Sequence, residues 1–221
     1  MSILKNLIFI ALLFAGSYNC FAQEISIRGG FNLSQMAEKV DGLIVSDDPK
    51  LNPGFNFGPV IDFPVYKLFS FETGLLYSTK GLFRKGIYGN GESTYSWRLN
   101  VAYLEAPVTF KASLPIRNFE LFGTAGGYIA SGLFGSLLER VDISNNTGIW
   151  HKIDWEGEGI SMKQFDYGLN FGIGAKFKYV DIGICYQIGA ANLAKFDKEG
   201  SLYNRNIEIY LTYNLWKKTN L

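Results

Sequence analysis

The sequence has little cysteine, little histidine and little charge. Of its 221 residues, two are Cys (Cys20 and Cys185) and one is His (His151). That scarcity excludes a His/Cys zinc centre. Charged residues make up 19% and the net charge is +1, so nothing points to electrostatic pairing with nucleic acid. No glycine-rich loop ends in Lys-Ser/Thr, and no G-x-S-x-G elbow occurs. Gly172 and Gly174 lie within an alternating stretch, away from any dinucleotide-binding turn. Glu156 and Glu158 sit among glycines and read as a solvated loop face. The residues therefore call for no catalytic, cofactor or metal site, and the chain is expected not to be an enzyme. Past the first residues, no apolar run reaches the roughly 20 residues a membrane-spanning helix needs.

The N-terminus has its own pattern. Met1–Lys5 is basic, Leu7–Ala15 is continuously apolar, and Cys20-Phe21-Ala22 precedes Gln23. That order is the order of a secretory signal peptide. The expected organisation is a leader over 1–22 and one domain over 23–221. Cys185 is then the sole cysteine of the mature chain, so no intramolecular disulfide can form.

What the sequence does have is alternation. It is 48% hydrophobic and 16% aromatic, with 25 glycines. In "FDYGLNFGIGAKFK" (165–178), Phe165, Tyr167, Leu169, Phe171, Ile173, Ala175 and Phe177 form one list. Asp166, Gly168, Asn170, Gly172, Gly174, Lys176 and Lys178 form the other. Similar period-two stretches begin near residues 25, 55, 69, 180 and 205, and each reads as a strand. Segment 97–112 changes phase at Tyr103-Leu104, where a bulge is expected. Segment 118–133 is rich in small residues and its facing is open.

Eight strands result. The links at 66–68, 113–118 and near Tyr179 are short, whereas 34–52, 83–96, 134–161 and 192–204 are long. Short and long links alternate, so an antiparallel up-and-down sheet carries tight turns at one end and loops at the other. Transmembrane β-barrels have this asymmetry. A sheet in lipid must close, because lipid offers no partner to an open edge. The expected fold is all-β: an eight-stranded antiparallel up-and-down transmembrane β-barrel in the outer membrane of a Gram-negative bacterium.

In that fold the apolar list faces lipid and the glycine-and-charge list fills a narrow lumen. Arg28, Asp62, Glu72, Glu105, Asp166, Lys176, Asp181 and Glu208 are the expected inward network, with both signs present. Tyr66, Phe69, Tyr77, Tyr103, Tyr167, Tyr186, Tyr213 and Trp216 are expected in interfacial girdles. Trp150, His151 and Trp155, in link 134–161, are candidate contacts for a protein partner. The other expected partners are outer-membrane lipid and the barrel-insertion machinery. Periodicity alone does not tell inside from outside. A soluble lipocalin-like binder of apolar ligands would reverse the facing.

The chain resembles the PorT-like outer-membrane β-barrel family of Bacteroidetes. The matching blocks are "IRGGFNLS" (27–34), "PGFNFGPVIDFPVYKLFSFETGLLYSTKG" (53–81), "VAYLEAPVTFK" (101–111), "FDYGLNFGIGAKF" (165–177) and "NRNIEIYLTYNL" (204–215). They span nearly the whole mature chain. Leu215 stands where the family usually carries a terminal aromatic, and Trp216 follows. The resemblance implies a barrel without catalytic residues. Its name member is associated with type IX protein secretion, so an accessory role in such an apparatus is the alternative to a structural or interaction role.

Overall fold

The computed structural model describes residues 24–40, 43–44, 50–88, 93–142, 148–155, 162–195 and 200–217. The expected leader lies outside them. Among the described residues eleven strands are formed: β1 (Glu24–Val40), β2 (Leu43–Ile44), β3 (Asn52–Tyr66), β4 (Phe69–Gly74), β5 (Leu76–Tyr88), β6 (Ser93–Ile116), β7 (Phe119–Asp142), β8 (Gly148–Lys152), β9 (Phe165–Lys176), β10 (Val180–Gly189) and β11 (Ser201–Lys217). β4 and β5 are one course interrupted at Leu75, whose N–H still donates to the Pro59 carbonyl at 3.0 Å.

Eight courses close into a ring of antiparallel pairs: β1, β3, β4–β5, β6, β7, β9, β10 and β11, with β11 returning to β1. The closing seam pairs Arg28 with Thr212 and Phe31 with Ile209. Closure leaves the ring no free edge. β9 and β10 have 12 and 10 residues, about the length a tilted strand needs to cross a bilayer.

Facing follows the alternation, and it inverts that of a soluble barrel. On β9, Phe165, Tyr167, Leu169, Phe171 and Ile173 are exposed, whereas Asp166 and Asn170 are buried. Facing of this kind does not support the lipocalin-like reading. In β7, Phe122, Tyr128 and Ala130 turn inward, and Leu121 and Ile129 turn outward. Tyr66, Phe69, Tyr167, Tyr186, Tyr213 and Trp216 are exposed on the outer face. Tyr103 is not: it is wholly buried in the lumen.

Two other expectations are corrected. β6 keeps one alternation throughout, because Leu99, Val101 and Tyr103 are lumen residues rather than lipid-facing ones. The register shift falls between Ala102 and Tyr103, which pair with Phe134 and Gly132, so the extra residue is Leu133 on β7. The long links are also shorter than expected. β7 continues to Asp142, and β8 pairs back onto it inside what reads as link 134–161. Above the lipid the outer face needs no apolar residue, so the alternation fades while the backbone pairing continues.

At the other end, β3–β4 and β6–β7 turn through two residues each, Lys67-Leu68 and Arg117-Asn118. Lys67 and Arg117 take positive φ of 32° and 33°. The third turn is closed by Phe177 N–H to the Val180 carbonyl at 2.8 Å.

Candidate functional site

The lumen has two zones. The zone toward the turns has no loop to fill it, so the strands' own inward side chains must satisfy one another. Near the turns, Lys111 Nζ lies 3.0 Å from Asp181 and 3.5 Å from Asp62. Lys176 pairs with Glu24. At mid-height the Arg28 guanidinium donates to both Glu72 oxygens at 2.8 Å, and its Nε donates to Thr212 at 3.1 Å. Higher still, Lys80 Nζ stands 2.7 Å from Glu105, which also accepts from Gln187 at 2.6 Å. Asp166 accepts from the Tyr128 hydroxyl at 3.0 Å and from Asn204 at 2.8 Å.

Buried charge at this density is costly unless each ion is paired and otherwise hydrogen-bonded. A device repeated three times meets the cost. Arg28 lies over the Tyr210 ring at 4.2 Å, Lys111 over Phe122 at 4.3 Å and Lys80 over Tyr128 at 4.2 Å. Each ring lies against a glycine of the neighbouring strand. A Cβ at Gly183 would fall 2.4 Å from Tyr210, one at Gly174 2.3 Å from Phe122, and one at Gly168 2.8 Å from Tyr128. The inward glycines thus clear space for rings, the rings seat the cations, and the cations hold the carboxylates. Cation–π contact in so desolvated a place is worth about 2 kcal/mol.

Asparagines link the layers. Asn32 accepts from Asn56 at 3.0 Å and from Asn206 at 3.1 Å, and it donates to Ser78 at 3.1 Å. A cavity of about 20 Å³ remains among Arg28, Glu72, Glu105, Thr109, Cys185 and Glu208. Such a volume holds about one water.

The zone toward the loops is apolar. Met36, Leu99, Val101, Tyr103, Tyr128 and Ala130 from the strands meet Ile153, Met162, Ala191 and Leu193 from the links. Leu193 is fully buried. Its N–H donates to the Leu202 carbonyl at 2.8 Å, and its carbonyl accepts from Lys163 N–H at 2.9 Å. Ile153 N–H is tied to the Gly135 carbonyl at 3.0 Å. The described parts of these links, around Ile153, Met162 and Ala191–Leu193, are therefore folded into the barrel mouth as a plug.

Of the eight expected inward charges, Arg28, Glu72, Glu105, Asp166, Asp181 and Glu208 are buried in the lumen, and Asp62 and Lys176 join them with partly buried side chains. Lys80, Lys111 and Glu24 complete the pairs and were not among the expected residues. Carrying the parity of Glu72 and Ser78 on to Lys80, that of Glu105 and Thr109 on to Lys111, and that of Arg28 back to Glu24 would have found them. The three partner candidates separate. Trp150 is exposed on β8, and His151 lies 3.7 Å from Glu139. Trp155 packs against the plug, over Gly132, so it is a filling residue rather than an exposed contact.

Residues 21–197 match the family described as outer membrane protein beta-barrel domain. No curated protein matches the chain. Among solved structures, the chain is similar to Ail of Yersinia pestis in complex with the heparin analogue sucrose octasulfate. Identity is 14%, coverage is 89% of this chain and 100% of that one, and the TM-score is 0.35. It is similar to OprG of Pseudomonas aeruginosa at 12% identity, 88% and 97% coverage and TM-score 0.40. Against Neisserial surface protein A the values are 9%, 86% and 97%, and 0.39.

Proposed function

This chain belongs to the outer membrane protein beta-barrel domain family, and we propose that its task in the outer membrane is structural or one of interaction, with no solute passing through and no chemistry performed. It is a small outer-membrane barrel whose lumen is filled by side chains. The observation that carries the proposal is this occlusion along the whole height: ion pairs and asparagines below, a plug of link residues above. An open aqueous channel belongs to barrels of about 16–18 strands. Protein reconstituted into a planar bilayer is expected to give no conductance steps. Regular steps would show an open path and defeat the reading.

The finer placement among PorT-like barrels of Bacteroidetes rests on the residue blocks quoted above. A share in protein secretion is the function that placement favours. Deleting the gene and comparing the secreted proteins tests it: an unchanged set removes the secretion role and leaves the structural one.

A further inference from the structure

Above the ring, β5, β6, β7 and β8 run on as one sheet, and its two faces differ in charge. Three successive cross-strand rows of the outer face carry the cations. They are Gly81–Asn100–Ser136–Lys152, then Phe83–Arg98–Leu138–Trp150, then Lys85–Ser96–Arg140–Gly148. Lys85, Arg98, Arg140 and Lys152 are all exposed there. Among the described side chains of these rows there is no carboxylate. Glu139, between the second and third rows on β7, has the opposite parity and lies on the inner face beside His151, while Asp142 stands one row higher, in the Ile87–Thr94–Asp142 row. Asp154, two residues past Lys152 and exposed, borders the first row on its lower side.

The outer face is also the face that meets lipid lower down. Just below the first row, Phe55, Tyr77 and Phe134 form a chain of aromatic rings at 5.6 and 6.5 Å. Phe134 is level with Ala102, two residues below the Asn100–Ser136–Lys152 row. With a rise of about 3.3 Å per residue and a tilt near 45°, each row adds roughly 5 Å of height. The four cations therefore begin about 5 Å above the aromatic belt and end about 14 Å above it, at the height of the lipid headgroups. Trp150 is 64% exposed in the same patch. Arg98 lies over the Phe83 ring at 4.8 Å, which holds its guanidinium on this face.

We propose that Lys85, Arg98, Arg140 and Lys152 bind the phosphate groups of an anionic glycolipid in the outer leaflet, with Trp150 at the headgroup boundary. The patch is continuous with the lipid-facing band and points sideways, along the membrane. Its occupant is therefore a lipid headgroup rather than a soluble polyanion arriving from above. A basic residue near a membrane surface is worth about fivefold in affinity for anionic lipid, so the four together are worth on the order of a hundredfold or more.

The test uses the whole protein in nanodiscs of phosphatidylcholine containing diphosphoryl lipid A. Native mass spectrometry counts the lipid A retained, and dephosphorylated lipid A serves as the comparison. One variant carries Lys85→Gln, Arg98→Gln, Arg140→Gln and Lys152→Gln. A control carries Lys67→Gln, Arg117→Gln and Lys178→Gln at the turn end. Heat-modifiable migration establishes that each is folded, and a charge-keeping Arg98→Lys, Arg140→Lys variant guards against a folding defect. The expected result is selective retention of the phosphorylated lipid by the wild type, the control and the charge-keeping variant, lost from the four-Gln variant. Equal retention by wild type and four-Gln variant would overturn the proposal. So would loss of lipid A from the wild type to a soluble sulfated oligosaccharide, which would make the patch a glycan site.

Discussion

The two ends of this lumen solve one problem with opposite chemistry. At the turn end the chain returns through two or three residues, so nothing but strand side chains can fill the interior. These side chains alternate with lipid-facing apolar residues and are polar, and they close into pairs such as Arg28–Glu72 and Lys111–Asp181. At the loop end the links are long enough to fold inward, and Ile153, Met162 and Leu193 bring apolar surface with them. The inward residues of the strands change to match: Leu99, Val101 and Tyr103 stand where Glu105, Thr109 and Lys111 stand lower on β6. The length of the connection thus decides the polarity of the core beneath it.

The largest break in this contrast should come from a cation of the polar zone. Lys80→Met leaves Glu105 buried without its ion, and a loss of about 3–5 kcal/mol is expected. Urea unfolding of the reconstituted barrel measures it; a loss below that of an exposed lysine control would remove the network from the account. Leu193→Ala, in the plug, should cost about 2–5 kcal/mol by cavity formation. It should also leave the ionic zone closed, so conductance should stay absent while the unfolding midpoint falls. Gly183→Ala places a methyl group against Tyr210 and should cost about 1–3 kcal/mol by overpacking. Its interaction energy with Arg28→Met in a double-mutant cycle should be non-zero, since ring and cation share one seat.

A further variant sharpens the comparison. Lys80→Met with Glu105→Leu converts an ionic layer into an apolar one, like that of the plug. It should recover most of the Lys80→Met loss, because a buried pair is often replaceable by apolar residues of like volume. A double variant as unstable as the single one would mean that the charges serve more than filling. The smallest effect is expected at the turns, where Lys67→Gly relieves a positive φ and should gain up to about 1 kcal/mol.

Much of this was legible in the residues. Alternation in 165–178 gives β9 its facing, and the order of short and long links gives the antiparallel ring. Segment 118–133 was not legible, because Gly123, Ala125, Gly126 and Gly127 offer no apolar contrast between faces. Tyr103 misled because an aromatic fits either a girdle or a core. The plug was invisible to periodicity, since Ile153, Trp155 and Leu193 lie in links and are set by contacts with distant strands. Lys80 was hidden by ending the alternation at the limit of the apolar list rather than of the strand, and Lys111, inside segment 97–112, by not carrying the parity of Glu105 along it.

The most direct test of the central claim, apolar surface outside and a filled polar interior, is a nitroxide scan across residues 165–173, leaving out the glycines, in bilayer-reconstituted protein. Collision with dissolved oxygen reports lipid exposure, and collision with a water-soluble nickel complex reports an aqueous path. High oxygen collision is expected at Phe165, Tyr167, Leu169, Phe171 and Ile173, with low collision at Asp166 and Asn170 and low nickel access at the two inward positions. Nickel access at Asp166 and Asn170, or oxygen collision without period two, would contradict the claim.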